Sequence, residues 1–144
     1  MFDLKNLAME QEFTGCKLAY LYNGQLLVYR RDNIAAIPYP DMWDFPGGGR
    51  EGDESPEECV LRELREEFAI DMPAARLFFR KRVVNHLTNG CSWFFIALGN
   101  SAEIENIVFG DEGQYWRLIS IDEFLSSADS MPILKTRLLG IFYT

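Results

Sequence analysis

Residues 48–70, GGREGDESPEECVLRELREEFAI, constrain the fold more than any other stretch of this chain. Two glycines lead into an acidic loop, and the loop leads into a helix whose signals are all local. Ser55 is a natural N-cap, Pro56 suits the first helical position, and Glu58 completes a capping box. Val60, Leu61, Leu64 and Phe68 recur at helical spacing and require a surface to bury against. A helix over 55–69 follows, with Pro73 blocking its continuation. Each helical residue turns about 100°, so Glu63, Glu66 and Glu67 share one arc, with Cys59 beside it and Val60 at its border. Arg62 and Arg65 fall on other faces and only partly screen the three carboxylates. Such a ridge is ordinarily a solvated helix face. Hard oxygen ligands clustered this way also suit Mg²⁺ or Mn²⁺, which keep several waters and complete their shells with phosphate oxygens.

The flanking sequence supplies a sheet for this helix. Gly15–Tyr22 and Leu26–Arg30 read as strands joined by Asn23-Gly24, a strong short hairpin signal because both positions tolerate positive φ. Arg31–Gly49, with three prolines and three consecutive glycines, reads as a long functional loop. Arg76–Leu87 and Cys91–Leu98 read as two more strands around Thr88-Asn89-Gly90. Tyr115–Ile119 reads as another strand. Ser120 and Glu123 form a capping box that opens a short helix through Ser126. Ser130-Met131-Pro132 opens a terminal helix whose Ile133, Leu134, Leu138 and Ile141 face the core. Strands and helices interleave without a regular βαβ repeat, which predicts one mixed α/β domain with helices covering a sheet.

Charge and cysteine content narrow the partners. A net charge of −8 opposes non-specific binding to a nucleic acid polymer, which needs a basic face. A small anionic ligand remains compatible, since a metal ion neutralises carboxylates locally and then attracts phosphate. Cys16, Cys59 and Cys91 are far apart and odd in number, so a disulfide framework is not expected. Met1–Glu12 lacks the pattern of a signal peptide, and no apolar run reaches membrane-spanning length. These features predict a soluble cytoplasmic protein, monomer or homodimer.

With its spacing intact, the acidic segment resembles the Nudix box, G-x5-E-x7-R-E-U-x-E-E-x-G-U with U bulky and aliphatic. Here it runs Gly48, Glu54, Arg62, Glu63, Leu64, Glu66, Glu67, Ala69 and Ile70, matching eight of nine positions. Chance agreement at this level is on the order of 10⁻⁷ per start position. Trp43-Asp44-Phe45-Pro46-Gly47 also resembles the W-x-x-P-G that commonly enters the box. The departure is Ala69, where the family has glycine. That position ends the helix and suits a left-handed residue, so alanine costs about 1 kcal/mol or shifts the helix end. It carries no carboxylate, and the chemistry is untouched.

The resemblance implies a mixed sheet sandwiched between helices and Mg²⁺-dependent hydrolysis of a nucleotide pyrophosphate, with Mn²⁺ able to substitute. Glu63, Glu66 and Glu67 would bind metal, with the backbone carbonyl of Gly48 as a further ligand. Arg62 and Glu54 would orient the carboxylates and the loop. Asp111 and Glu112 precede the Tyr115 strand, and Glu112 is the candidate for general base or extra ligand. Glu66, Glu67, Glu112 and Arg62 thus form the expected catalytic set. Arg30 and Arg50 are candidates for phosphate contact, and Trp43 or Phe45 for stacking on a base. Each has a plainer reading, solvated arginines and core aromatics. His86 with Cys91 is too small a set for a zinc site.

A nucleoside triphosphate, including a damaged one, is the first-choice substrate, giving monophosphate and pyrophosphate. A nucleotide sugar such as ADP-ribose is the runner-up. Two readings from other classes are a nucleotide-sensing binding module and an isoprenyl diphosphate isomerase using Cys59 or Cys91. The first would be expected to lose box glutamates, and all three are present here. The second would release no phosphate.

Overall fold

The computed structural model describes residues 12–85 and 90–142. Strand β1 (Gly15–Tyr22) turns through Asn23 and Gly24, both at positive φ (49° and 73°), into β2 (Gln25–Arg30). The two strands pair antiparallel only next to the turn, at Leu21–Leu26 and Tyr22–Gln25. Beyond it they splay apart, and residues 43–49 fill the split. Strand β3 (Trp43–Asp44) pairs with β2, while β4 (Gly47–Gly49) pairs with β1. Between them the Leu18 N–H donates to the Pro46 carbonyl. The expected long loop therefore contains two strands. Both are too short to show a period-two pattern, and β4 is all glycine.

The rest of the sheet forms around this wedge. Strand β5 (Leu77–Asn85), preceded by a 3-10 turn over Ala74–Arg76, pairs antiparallel with β6 (Gly90–Leu98). Strand β6 lies parallel to β1 along its whole length, from Gly15–Ser92 to Leu21–Leu98. Strand β7 (Trp116–Ser120) covers the outer edge of β2. Among the described residues the helices are α1 (Pro56–Phe68), α2 (Ser101–Glu105), α3 (Ile121–Ser126) and α4 (Pro132–Phe142). The sequence reading omitted α2. Its signal was present, since Asn100 caps it by accepting from the Glu103 N–H. The His86 candidate and most of the 88–90 turn lie outside the described residues.

Alternation along the strands builds two cores, one on each face. Cys16, Leu18, Tyr20, Leu27, Tyr29, Trp93 and Phe95 face α1. Ala19, Leu26, Val28, Phe94, Ile96 and Ile119 face α3 and α4. Helix α1 buries Cys59, Val60, Leu64 and Phe68 in the first core, each apolar side chain contributing roughly 1.5–3 kcal/mol. In α4, Leu134 and Leu138 are buried, and Ile141 packs at the edge. Ile133, expected in the core, is instead exposed.

Candidate active site

Helix α1 starts and stops as its sequence dictates. Ser55 Oγ accepts from the Glu58 N–H at 3.1 Å, and Glu58 accepts from the Ser55 N–H at 3.0 Å. Ala69 ends the helix in the left-handed region (φ 57°, ψ 32°), its N–H donating to the Arg65 carbonyl. Two of the last carbonyls of α1 are taken by the 107–113 loop. Val108 N–H donates to the Phe68 carbonyl at 3.2 Å, and Gly110 N–H to the Glu67 carbonyl at 2.8 Å. Helix-end satisfaction thereby brings Asp111 and Glu112 over the acidic ridge.

The result is a cleft of about 270 Å³ lined by Glu51, Glu63, Glu66, Glu67, Gly110, Asp111 and Glu112. The ridge is graded in burial. Glu66 is exposed, Glu63 is mostly covered and Glu67 is 7% exposed. Glu67 Oε1 accepts the Gly47 N–H at 2.8 Å. Burial is the main cause that pushes the Glu67 carboxyl up to about 8, aided by Glu63 and Asp44 and opposed by Lys17 and the Gly47 N–H. Burial also raises Glu63, Arg62 opposes this, and Glu66 and Glu112 add to the rise. Six carboxylates thus line a space whose electrostatics favour a cation or a proton.

Arg62 reaches further than expected from its helical face. Its Nε and Nη2 donate to the two Glu54 oxygens at 2.6 and 3.1 Å, and Nη1 donates to Glu63 and Glu66 at 3.0 Å each. Nη2 also donates to the Gly49 carbonyl at 2.8 Å. The guanidinium thus ties the loop to the ridge, and the bond from Arg62 holds the Glu54 carboxyl below its ordinary range. In this arrangement it orders the Glu54, Glu63 and Glu66 carboxylates about the loop.

Glycine at 48 answers to contact: a Cβ there would stand 2.7 Å from the Glu63 carboxyl. The Gly48 carbonyl lies 3.8 and 3.9 Å from the thiols of Cys16 and Cys59, which makes it the least supported member of the expected ligand set.

As the side chains stand, no three acidic, cysteine or histidine groups among the described residues converge closely enough to hold an ion. Arg62 draws Glu63 and Glu66, and Gly47 holds Glu67. The donors nevertheless fit a hard divalent cation, because all are carboxylates and one is buried without a cation in contact.

The other binding candidates fall elsewhere. Arg30 is engaged by Asp41 and Asp129 and lies 4.9 Å from the Trp43 ring centroid, away from the cleft. Arg50 donates to the Glu54 carbonyl and stacks on Phe13. Trp43 is buried against Tyr115, and Phe45 is fully buried between Phe94 and Phe124. The expected stacking platform is therefore core, fixed by the wedge in the split hairpin.

Sequence reasoning missed three features. Asp44 is fully buried and accepts from Lys17, Arg31 and Tyr29. Burial opposes its ionisation, but Lys17 and Arg31 prevail and hold its carboxyl low. On the opposite face a groove of about 670 Å³ runs between α4 and β5, adjoining a second cavity of about 330 Å³ that ends on Gly48 and Gly49. Arg137 lines both. It donates to Ser92 Oγ at 3.2 Å and has no carboxylate partner among the described residues. Arginine on a short terminal helix carries no distinctive sequence signal. Third, Cys16 and Cys59 meet, with sulfurs 3.3 Å apart.

Fold and site together define an α/β protein in which an acidic helix faces a glycine loop across a small anionic cleft. A NUDIX domain model matches residues 17–137, and the chain belongs to that family. Curated relatives include the RNA pyrophosphohydrolase of Gluconacetobacter diazotrophicus, 45% identical over 58 residues, covering 37% of this chain and 35% of that protein. The 8-oxo-dGTP diphosphatase of Proteus vulgaris is 51% identical over 36 residues, covering 25% of this chain and 32% of that protein. The matched segments thus span about a third of those relatives. Among solved structures, the MutT protein of Methanosarcina mazei Go1 shares the fold, with a TM-score of 0.67 and 22% identity over 88% of this chain and 91% of that one.

Proposed function

We propose that the protein hydrolyses the pyrophosphate linkage of a nucleoside diphosphate derivative with Mg²⁺, or Mn²⁺ in its place. A nucleoside triphosphate giving monophosphate and pyrophosphate is the first substrate class, and a nucleotide sugar such as ADP-ribose the second. The observation that carries this reading is the cleft itself, where Glu63, Glu66 and Glu67 on one helix meet Glu112 from a loop docked on that helix. Glu63, Glu66 and Glu67 would hold the metal, with the Gly48 carbonyl a possible addition. A divalent ion bound there offsets phosphate charge and lowers the pKa of water.

The chain's own groups do the rest. Arg62 keeps Glu63 and Glu66 on one side of the loop until a cation competes for them. The Gly47 N–H fixes one Glu67 oxygen and leaves the other toward the cleft. Glu112, on a loop whose backbone is anchored to the end of α1, accepts a proton from the attacking water. The non-reacting part of the substrate occupies the groove beside Gly48 and Gly49, where Arg137 donates to its acceptor oxygens.

A purified-enzyme screen across a nucleotide panel, reading pyrophosphate and monophosphate separately, tests the reading. Turnover should vanish with a chelator and return with excess Mg²⁺ or Mn²⁺. Full turnover in chelator would sink the metal assignment, and absence of any phosphate product would favour a binding module or an isomerase.

A further inference from the structure

Two of the three cysteines are brought together behind the glycine loop. Cys16 comes from β1 and Cys59 from α1, one helical turn before Glu63. Their sulfurs are 3.3 Å apart and both residues are buried. Both thiols also lie within 3.9 Å of the Gly48 carbonyl. A Cβ at Gly48 would stand 2.7 Å from the Glu63 carboxyl, so only Gly48 separates the pair from the acidic cleft.

We infer that Cys16 and Cys59 are a dithiol modification site, which a peroxide converts reversibly to a disulfide that ties β1 to α1 behind Gly48. In the first step one sulfur attacks the peroxide, the O–O bond breaks, and a sulfenic acid and water form. The second thiol then attacks that sulfur, the S–O bond breaks, and a second water leaves. The two sulfurs together lose two electrons, which reduce one peroxide. To bond, the sulfurs must close from 3.3 Å to about 2.05 Å, a movement within the reach of side-chain rotation. The disulfide has no S–H, so the Gly48 carbonyl loses both of its thiol neighbours. The glycine loop and the Glu63 carboxylate packed on it must then readjust.

Cys91 is less buried and would react first, so the test uses Cys91→Ser as the parent protein. The folded, reduced protein is treated with hydrogen peroxide over a time course, quenched, denatured and alkylated. The expected product is two hydrogen atoms lighter, carries no alkylated cysteine, and yields a Cys16–Cys59 linked peptide. A thiol reductant should restore it, and amide exchange at residues 47–49 should differ between the two forms. Cys16→Ala and Cys59→Ala in the same background should form no such species. Alanine suits both buried positions, and their circular dichroism melts check folding. Oxidation of either cysteine alone to the sulfinic level, or full retention of both thiols once Met oxidation is under way, would overturn the proposal. So would a linked form whose residues 47–49 exchange at unchanged rates. None of these readouts depends on the substrate or on turnover.

Discussion

The two faces of the sheet carry opposite electrostatics. On the α1 face, five glutamates and Asp111 line one cleft, and Arg62 is bonded to three carboxylates at once. On the α4 face the groove is lined by Lys81, Arg82 and Arg137, and among the described residues Arg137 has no carboxylate within ion-pair distance in a chain of net charge −8. The acidic cleft suits a cation and the basic groove an anion. The glycine loop joins them, since Gly48 leaves no room for a Cβ beside Glu63 on one side and lines the cavity beside Arg137 on the other. Under the proposed function, one substrate would lay its phosphates over the first and its remainder in the second.

Changes on the acidic face should have the larger effects. Glu67→Gln keeps the shape but cannot ionise to meet a cation, so metal affinity should collapse and kcat fall by roughly 10³, the weight of several kcal/mol of charge stabilisation. The same variant tests the titration. Glu67 ionises near 8 in the folded chain against an ordinary 4.5, so between those values the native state binds the extra proton. Stability of the metal-free protein should therefore fall as pH rises from about 4.5 toward 8. Glu67→Gln should flatten that slope, and melts at a series of pH values read it directly. An unchanged slope would place the pH dependence in another group.

Glu112→Gln separates base from ligand. As a base, Glu112 is worth roughly 10²–10⁴ in kcat, with Mn²⁺ binding nearly intact and the loss shrinking as pH rises. Equal weakening of Mn²⁺ binding in Glu112→Gln and Glu67→Gln would make Glu112 a ligand. No change in either quantity would leave it a solvated loop acid.

On the basic face, Arg137→Ala should raise KM by about 10-fold, the worth of one charge-assisted contact, and leave kcat nearly unchanged. Equal losses in kcat and kcat/KM would mean that the groove acts in the transition state and that the two faces are not separable. The smallest effect lies away from both. Ala69→Gly relieves a left-handed alanine, which should add about 1 kcal/mol and about 3 °C to Tm without altering turnover. A lower Tm would show that the alanine is not strained there.

What the sequence revealed follows how local each cause is. The capping box, Pro56, the Asn23-Gly24 turn and the left-handed Ala69 depend on near neighbours, and the structure has them where the motifs put them. Of the capping box expected at Ser120 and Glu123 the N-cap half forms, with Ser120 Oγ accepting from the Glu123 N–H. The meeting of Glu112 with the ridge was readable only through family likeness, because backbone bonds from residues 108 and 110 create it. Trp43, Phe45 and Arg30 went elsewhere because β3 was invisible, and the wedge carries its side chains into the core. Cys16 and Cys59, 43 positions apart, look unrelated until β1 and α1 pack.

The parallel pairing of β1 with β6 sets an order of events for folding. Gly15 lies against Ser92 and Leu21 against Leu98, so the central pairing of the sheet closes a long stretch of chain. Local interactions form faster than such closures, whose entropy is lost before the contacts repay it. The acidic helix therefore has its caps before it has a sheet to lean on, and its charges repel one another in the meantime. The high contact order of this pairing makes cleft assembly a late, slow step, completed when β1 and β6 bring the halves of the chain together.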